Sequence, residues 1–270
     1  MSAIAIGFSP YRVGAMILRH WYLLRSSWPR LLELVYWPAV QMFMWGFLQM
    51  GIAKYPGALA GTVSTFLAAF LLWDILFRGQ IGYSMSFLEE MWSRNMPNLM
   101  ISPLRTSEFV LALVVMSMVR LAIGLVPVTI LAVLFFGFNL WALGLALAAF
   151  FANLLFTSWA VGMFCSGLVL RHGLGAESLA WSLMFFFLPL TCVYYPVTVL
   201  PEWVQPISWA LPPTAVFEGM RALLIDQTFR ADLMLWALGL NVLWLAAGAF
   251  SFLLLLRAAK RSGSLLQIGE

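Results

Sequence analysis

The chain reads as an all-α integral membrane protein: six transmembrane helices, an N-terminal amphipathic interfacial helix, and a re-entrant helical hairpin before the sixth span. Three observations predict this. Of 270 residues, 63% are hydrophobic and only 10% charged, whereas a water-soluble surface on a chain of this size needs about a quarter charged. The apolar residues gather into runs of about 20 or more, the length that crosses a bilayer as a helix. Basic residues are shared very unequally between alternate connections. Mean hydropathy is +0.93, and the spans leave no room for a separate soluble catalytic domain. A net charge of +4 is informative through its placement, which reports topology rather than nucleic-acid binding.

Residues 1–8 are apolar but short, and the arginines that follow come without a small-residue cleavage pattern, so no cleavable signal is expected. Over 10–29, a wheel at 100° per residue puts Val13, Gly14, Ile17, Leu18, Trp21, Leu24 and Trp28 on one side. Arg12, Arg19, His20, Ser26, Ser27 and Arg30 fall on the other. This is a basic amphipathic helix on a cytoplasmic membrane surface, its arginines at lipid headgroups and its tryptophans at the interface. Arg25 falls near the apolar edge, and Met16 and Leu23 fall on the polar side.

Spans are expected at 31–53, with a kink at Pro38, and at 61–88, 107–136, 140–170, 179–199 and 233–256. Lys54 to Gly57 separate the first two. Helix-compatible sequence continues past the second span to Trp92, so that end projects into water. The breaks at Gly137 to Asn139 and Arg171 to Glu177 are short enough to make the flanking spans antiparallel neighbours. With the N-terminus cytoplasmic, that side holds ten basic residues: Arg12, Arg19, Arg25, Arg30, Arg94, Arg105, Arg171, Arg257, Lys260 and Arg261. The other side holds three, Lys54, Arg221 and Arg230. This positive-inside bias puts both termini in the cytoplasm of a multi-pass protein.

The sequence lacks a G-x-x-x-x-G-K-[ST] phosphate loop, H-E-x-x-H and G-x-S-x-G. Its two histidines, His20 and His172, lie near cytoplasmic ends, so a non-catalytic chain is expected, with no cofactor, no metal and no ATP site of its own. Cys165 and Cys192 lie in apolar runs and point to neither a disulfide framework nor a zinc site. Asp74, Arg78 and Arg120 fall within spans, where each costs about 2.5–3.5 kcal/mol at the bilayer centre. Asp74 and Arg78, four apart, share a helix face and pair, and an adjacent helix brings Arg120 to them. The cluster is either a substrate-path switch or an ion pair that fixes helix packing.

Two segments stand out. In 89–106, Pro97 can begin a short helix that Ser102-Pro103 ends, a cytoplasmic docking knob at the tip of two extended spans. From Tyr194 to Leu224 come five of the 13 prolines, Pro196, Pro201, Pro206, Pro212 and Pro213, among aromatics and leucines. Pro201 can start one short helix and Pro213 another, running to about Ile225. Their apolar character implies that 200–231 dips back into the outer leaflet, as a gate or as an interfacial cap. Small residues at Gly144, Ala148 and Ala152, and at Gly57 and Gly61, permit close helix contact.

Together these segments resemble the membrane subunit of an ABC-2 type exporter. The matching residues are Glu89-Glu90 followed by Leu99 to Arg105, then Tyr195-Pro196 through Leu200-Pro201-Glu202-Trp203, Leu211 to Thr214, and Glu218 to Leu224. The resemblance implies a permease that forms its substrate path as a homodimer in a bacterial inner membrane, among membrane lipids. A separate ABC ATPase would carry ATP and Mg and couple through Glu89, Glu90, Asn95, Met96, Pro97, Asn98, Leu99, Ser102 and Arg105. Pro196, Pro201, Trp203, Pro212, Pro213, Glu218 and Arg221 would belong to the outer gate. The implied substrate is a lipid, a glycan or a hydrophobic small molecule. A stand-alone secondary transporter or channel is the alternative; it calls for an internal repeat or several intramembrane ionisable groups, and neither is found.

Overall fold

A computed structural model describes residues 7–54 and 60–262. Among them there are ten α-helices, joined by short 3₁₀ turns, and no strand. They are α1 (Pro10–Arg25), α2 (Trp28–Ala53), α3 (Ala60–Trp92), α4 (Met96–Ile101), α5 (Thr106–Phe136), α6 (Leu145–His172), α7 (Ser178–Leu190), α8 (Gln205–Trp209), α9 (Pro212–Ile225) and α10 (Ala231–Ser262). The Gly57/Gly61 spacing lies outside the residues whose side chains are described. Prolines sit in the first turn of α1, α2, α4, α8 and α9, where a missing N–H costs nothing and a fixed φ favours the helix. Gly137 ends α5 in the left-handed region, at φ 63°, a conformation without steric penalty only for glycine.

Side-chain contacts fix the helix directions. Arg78 meets the Gly124 position, Gly82 meets Ser117, and Phe87 meets Phe109, so α3 and α5 are antiparallel. Phe43 meets Phe135 while the Leu34 carbonyl faces Gly124, so α2 runs with α5. Ser158 Oγ donates to the Leu76 carbonyl at 2.8 Å and Gly162 faces Tyr83, so α6 runs with α3. Gly248 lies against Ala160 and Asn241 against Asn153, so α10 runs with α6. The start of α2 and the end of α10 therefore lie at one end of the bundle with α1 and α4, here called basal. The hairpin of α8 and α9 is at the other, apical end.

Five helices, α2, the described part of α3 from Thr65, α5, α6 and α10, are long and apolar enough to cross a membrane. The expected span at 179–199 is corrected: its helix stops at Leu190. Pro189 lies just inside that end, and carbonyls beyond it find side-chain donors instead of helical ones. Ser208 Oγ donates to Leu190 O at 2.7 Å, and Arg221 Nη1 donates to Cys192 O at 2.9 Å. The chain can thus leave the helix without stranding buried backbone groups. The short helix expected to start at Pro201 begins at Gln205, with Pro206 in its first turn. The start expected at Leu140 is a 3₁₀ turn; α6 itself begins after Gly144.

Candidate functional site

At the basal end, α1 lies across α3 and α5, burying Val13, Met16, His20 and Leu24. This corrects the helical wheel in part: His20 and Met16, from its polar side, face inward together with Val13 and Leu24 from its apolar side, while Leu18 and Trp21 stay exposed. This rotation of the inward face has a specific cause: three carboxylates buried on α3 and α5 draw part of the cationic side of α1 toward protein. Glu108 accepts from Arg12 Nε at 2.8 Å and Nη2 at 2.6 Å, and from the Ser9 and Arg105 backbone N–H groups at 2.8 and 2.9 Å. Those bonds hold the Arg12 guanidinium charged, its pKa raised above the usual value. Glu90 accepts from Arg19 at 2.9 and 3.1 Å and from Asn95 Nδ2 at 2.6 Å. Glu89 takes Arg120 Nη2 at 2.7 and 2.8 Å and Arg30 at 3.3 Å. The His20 ring lies between the two, 3.5 Å from Glu89 and 3.6 Å from Glu90.

The expected triad of Asp74, Arg78 and Arg120 is accordingly not assembled. Asp74 and Arg78 do pair, at 2.7 Å, and Arg78 also donates to the Leu34 carbonyl at 2.8 Å. Arg120 leaves α5 near Gly82, and helix side chains lean toward their own N-terminus. Because α5 opposes α3, that lean carries its guanidinium basally to Glu89, away from Asp74.

The α4 segment sits where α3 meets α5. Arg94, at φ 54°, turns the chain, and Ser102 Oγ donates to the Leu99 carbonyl at 2.7 Å as the helix ends. Of the expected coupling residues, Glu89, Glu90 and Met96 are buried, so no partner reaches them directly. Asn95, Pro97, Leu99 and Ser102 are half-buried, and Asn98 and Arg105 are exposed.

In the apical hairpin, Pro196, Pro201 and Trp203 are exposed, while Pro212 and Pro213 are buried at the start of α9. Glu218 ties the two arms: it accepts from the Val197 N–H at 2.7 Å and from Arg221 at 2.9 Å. Trp236 and Trp244 of α10 donate to the Trp209 and Ala210 carbonyls, at 3.3 and 3.1 Å. Among the described residues no group of three or more His, Cys, Asp or Glu could hold a metal ion.

A family model described as ABC-2 type transporter matches residues 13–225, from α1 through α9. The chain belongs to the ABC-2 type transporter family. It is an integral, multi-pass permease subunit of an ABC transporter, of a kind that is generally non-catalytic and typically pairs with an ABC ATPase. Comparison with curated proteins gives no match.

Sequence reasoning missed two features of the permease. Ile101, 86% exposed at the tip of α4, is an apolar residue displayed beyond the bundle; its position just before Ser102-Pro103 was the available signal. The partners of Glu89, Glu90 and Glu108 were also missed, because no local spacing links Arg12 to a carboxylate 96 residues away. A cleft of about 330 Å³ opens between α2, α3 and α7, with Arg120 of α5 in its wall.

Proposed function

We propose that the permease is the membrane half of an ATP-driven exporter. Two copies form the path, each docking an ATPase chain that holds ATP and Mg, and the basal end faces the cytoplasm of a bacterial inner membrane. The ten-to-three basic bias supports that orientation. In this reading α7 and the apical hairpin together make the sixth crossing, with the hairpin re-entering the outer leaflet as a gate. The substrate is a lipid, a glycan or a hydrophobic small molecule.

The observation that carries the coupling step is the placing of α4. It is exposed through Asn98 and Ile101, with Arg105 exposed just beyond it, and it connects two long helices that α1 clamps by ion pairs. A push on α4 is thereby delivered to both helices. Glu89 and Glu90 then act as positioning groups behind the contact.

The test is purification in mild detergent with its native partners. A soluble subunit bearing a phosphate loop is expected to come with the permease. Ile101→Asp is expected to lower ATPase activity of the complex about tenfold, as does loss of an apolar interface anchor, with membrane insertion unchanged. A permease that purifies without any ATPase, or an Ile101→Asp complex as active as wild type, would overturn the reading. Orientation is read from single cysteines in a chain lacking Cys165 and Cys192. Lys54→Cys and Gln227→Cys are expected to react with an impermeant thiol reagent from outside, and Asn98→Cys and Ser262→Cys are not.

A further inference from the structure

We infer that the cleft between α2, α3 and α7 binds an anionic amphiphile, a molecule with a phosphate or carboxylate head on an apolar chain. That the occupant is also transported rests on the permease reading above; the binding itself rests on the chemistry of the cleft. Its volume, about 330 Å³, falls within the small-ligand range. One part of its wall is aromatic: Phe77 stands 6.1 Å from Trp181 and 5.9 Å from Phe185, ring centre to ring centre. Trp37 of α2 also lines it and is 56% exposed.

The head end is set by an imbalance between donors and acceptors. Both oxygens of Glu89 already accept from Arg120, Arg30 adds a third donor, and His20 stands 3.5 Å away. Three donors fill most of the carboxylate's roughly four acceptor sites, and two cationic partners already outweigh its single charge, so a cationic ligand gains little there. Arg120 is only 5% exposed, lines the cleft, and keeps a buried Nε–H without a hydrogen-bond partner. A buried charged donor lacking an acceptor is costly, and because Arg120 stands in the cleft wall, a small turn of its guanidinium toward a bound oxyanion would satisfy it. Arg30, half exposed at the same level, adds mobile positive charge.

Two features favour a long ligand over a free ion. The cleft borders α3 from Glu89 to Arg78, eleven positions or about 16 Å along a helix. Arg78 is neutralised by Asp74 and the Leu34 carbonyl, so the charge attraction is concentrated at the basal end and the rest is aromatic wall. Glu33, exposed and lining the cleft, is the group that would draw a cation instead, and the test includes one for that reason.

The experiment titrates hexadecyl phosphate into the full-length permease in neutral maltoside micelles and follows tryptophan fluorescence. Saturable binding is expected, unaffected by inorganic phosphate or hexadecyltrimethylammonium. Arg120→Gln is expected to weaken it about tenfold or more, the loss of one charge-assisted contact. Because that change also removes the main partner of Glu89, Phe185→Ala serves as an independent variant: it deletes one ring of the aromatic wall and lies away from the ion pairs. A signal that never saturates, or one equal in Phe185→Ala and wild type, overturns the site. Competition by inorganic phosphate alone overturns the amphiphile in favour of a free anion, and competition by hexadecyltrimethylammonium overturns the anionic head. Loss of binding leaves the co-purifying ATPase untouched, so this inference and the exporter reading fail separately.

Discussion

The seam between α6 and α10 and the basal clasp of α1 against α3 and α5 hold helices together in opposite ways. In the seam the buried polar groups are neutral. Asn241 Nδ2 donates to Asn153 Oδ1 at 2.9 Å and Thr157 Oγ1 donates to Asn241 Oδ1 at 2.7 Å, with all three residues buried. Gly248 sits so close that a Cβ would stand 2.6 Å from the Ala160 carbonyl oxygen. Small residues allow such backbone approach, and the interhelical hydrogen bonds then have one register in which they all form. In the clasp, Glu89 and Glu90 are surrounded by Arg19, Arg30, Arg120 and His20. With more cationic donors than a carboxylate needs, partners can exchange while the charge stays neutralised. The seam thus fixes one geometry, and the clasp tolerates several, on the side of the bundle that presents α4.

This contrast can be broken from either side. The largest effect is expected for Glu89→Ala, which leaves Arg120 buried and unpaired and costs about 3 kcal/mol. Denaturant unfolding in detergent measures it, and hydrogen exchange is expected to speed up in α1 while α6 and α10 stay protected. Gly248→Val should cost about 2 kcal/mol by overpacking against the α6 backbone, with the exchange pattern reversed: faster in α6 and α10, unchanged in α1. If both variants loosen both regions alike, the two are one cooperative unit. Asn241→Ala is a milder probe of the seam, expected to cost about 1 kcal/mol, the scale of interhelical hydrogen bonds in membranes. The smallest effect belongs to Arg230→Gln. Its pair with Asp232 at 2.6 Å is exposed at the apical surface, so Tm is expected to stay unchanged.

Much of the bundle was legible because composition and run length report membrane helices directly. The first-turn prolines of α4 and α9 mark helix starts with a mechanism attached. What could not be read depended on direction and distance. Arg120 was assigned to Asp74 by proximity of spans, but its true partner follows from the antiparallel course of α5 and the lean of its side chain. The wheel for α1 ranked His20 as solvent-facing because hydropathy carries no knowledge of Glu89 and Glu90 waiting in α3. The end of α7 at Leu190 was hidden for a similar reason: Thr191 to Val199 is apolar enough to continue a span, and only Ser208 and Arg221, far along the chain, show where its carbonyls are satisfied.

The separation between Arg12 and Glu108 also sets an order of events during synthesis. The ribosome adds about 5–20 residues per second, so the carboxylate that receives Arg12 follows it by roughly 5–20 s. Until Glu108 arrives Arg12 lacks its protein partner, and an arginine so placed can rest on anionic headgroups at the membrane surface. Helix α1 therefore completes its docking only after α5 is made, and that docking reports that both α3 and α5 have arrived.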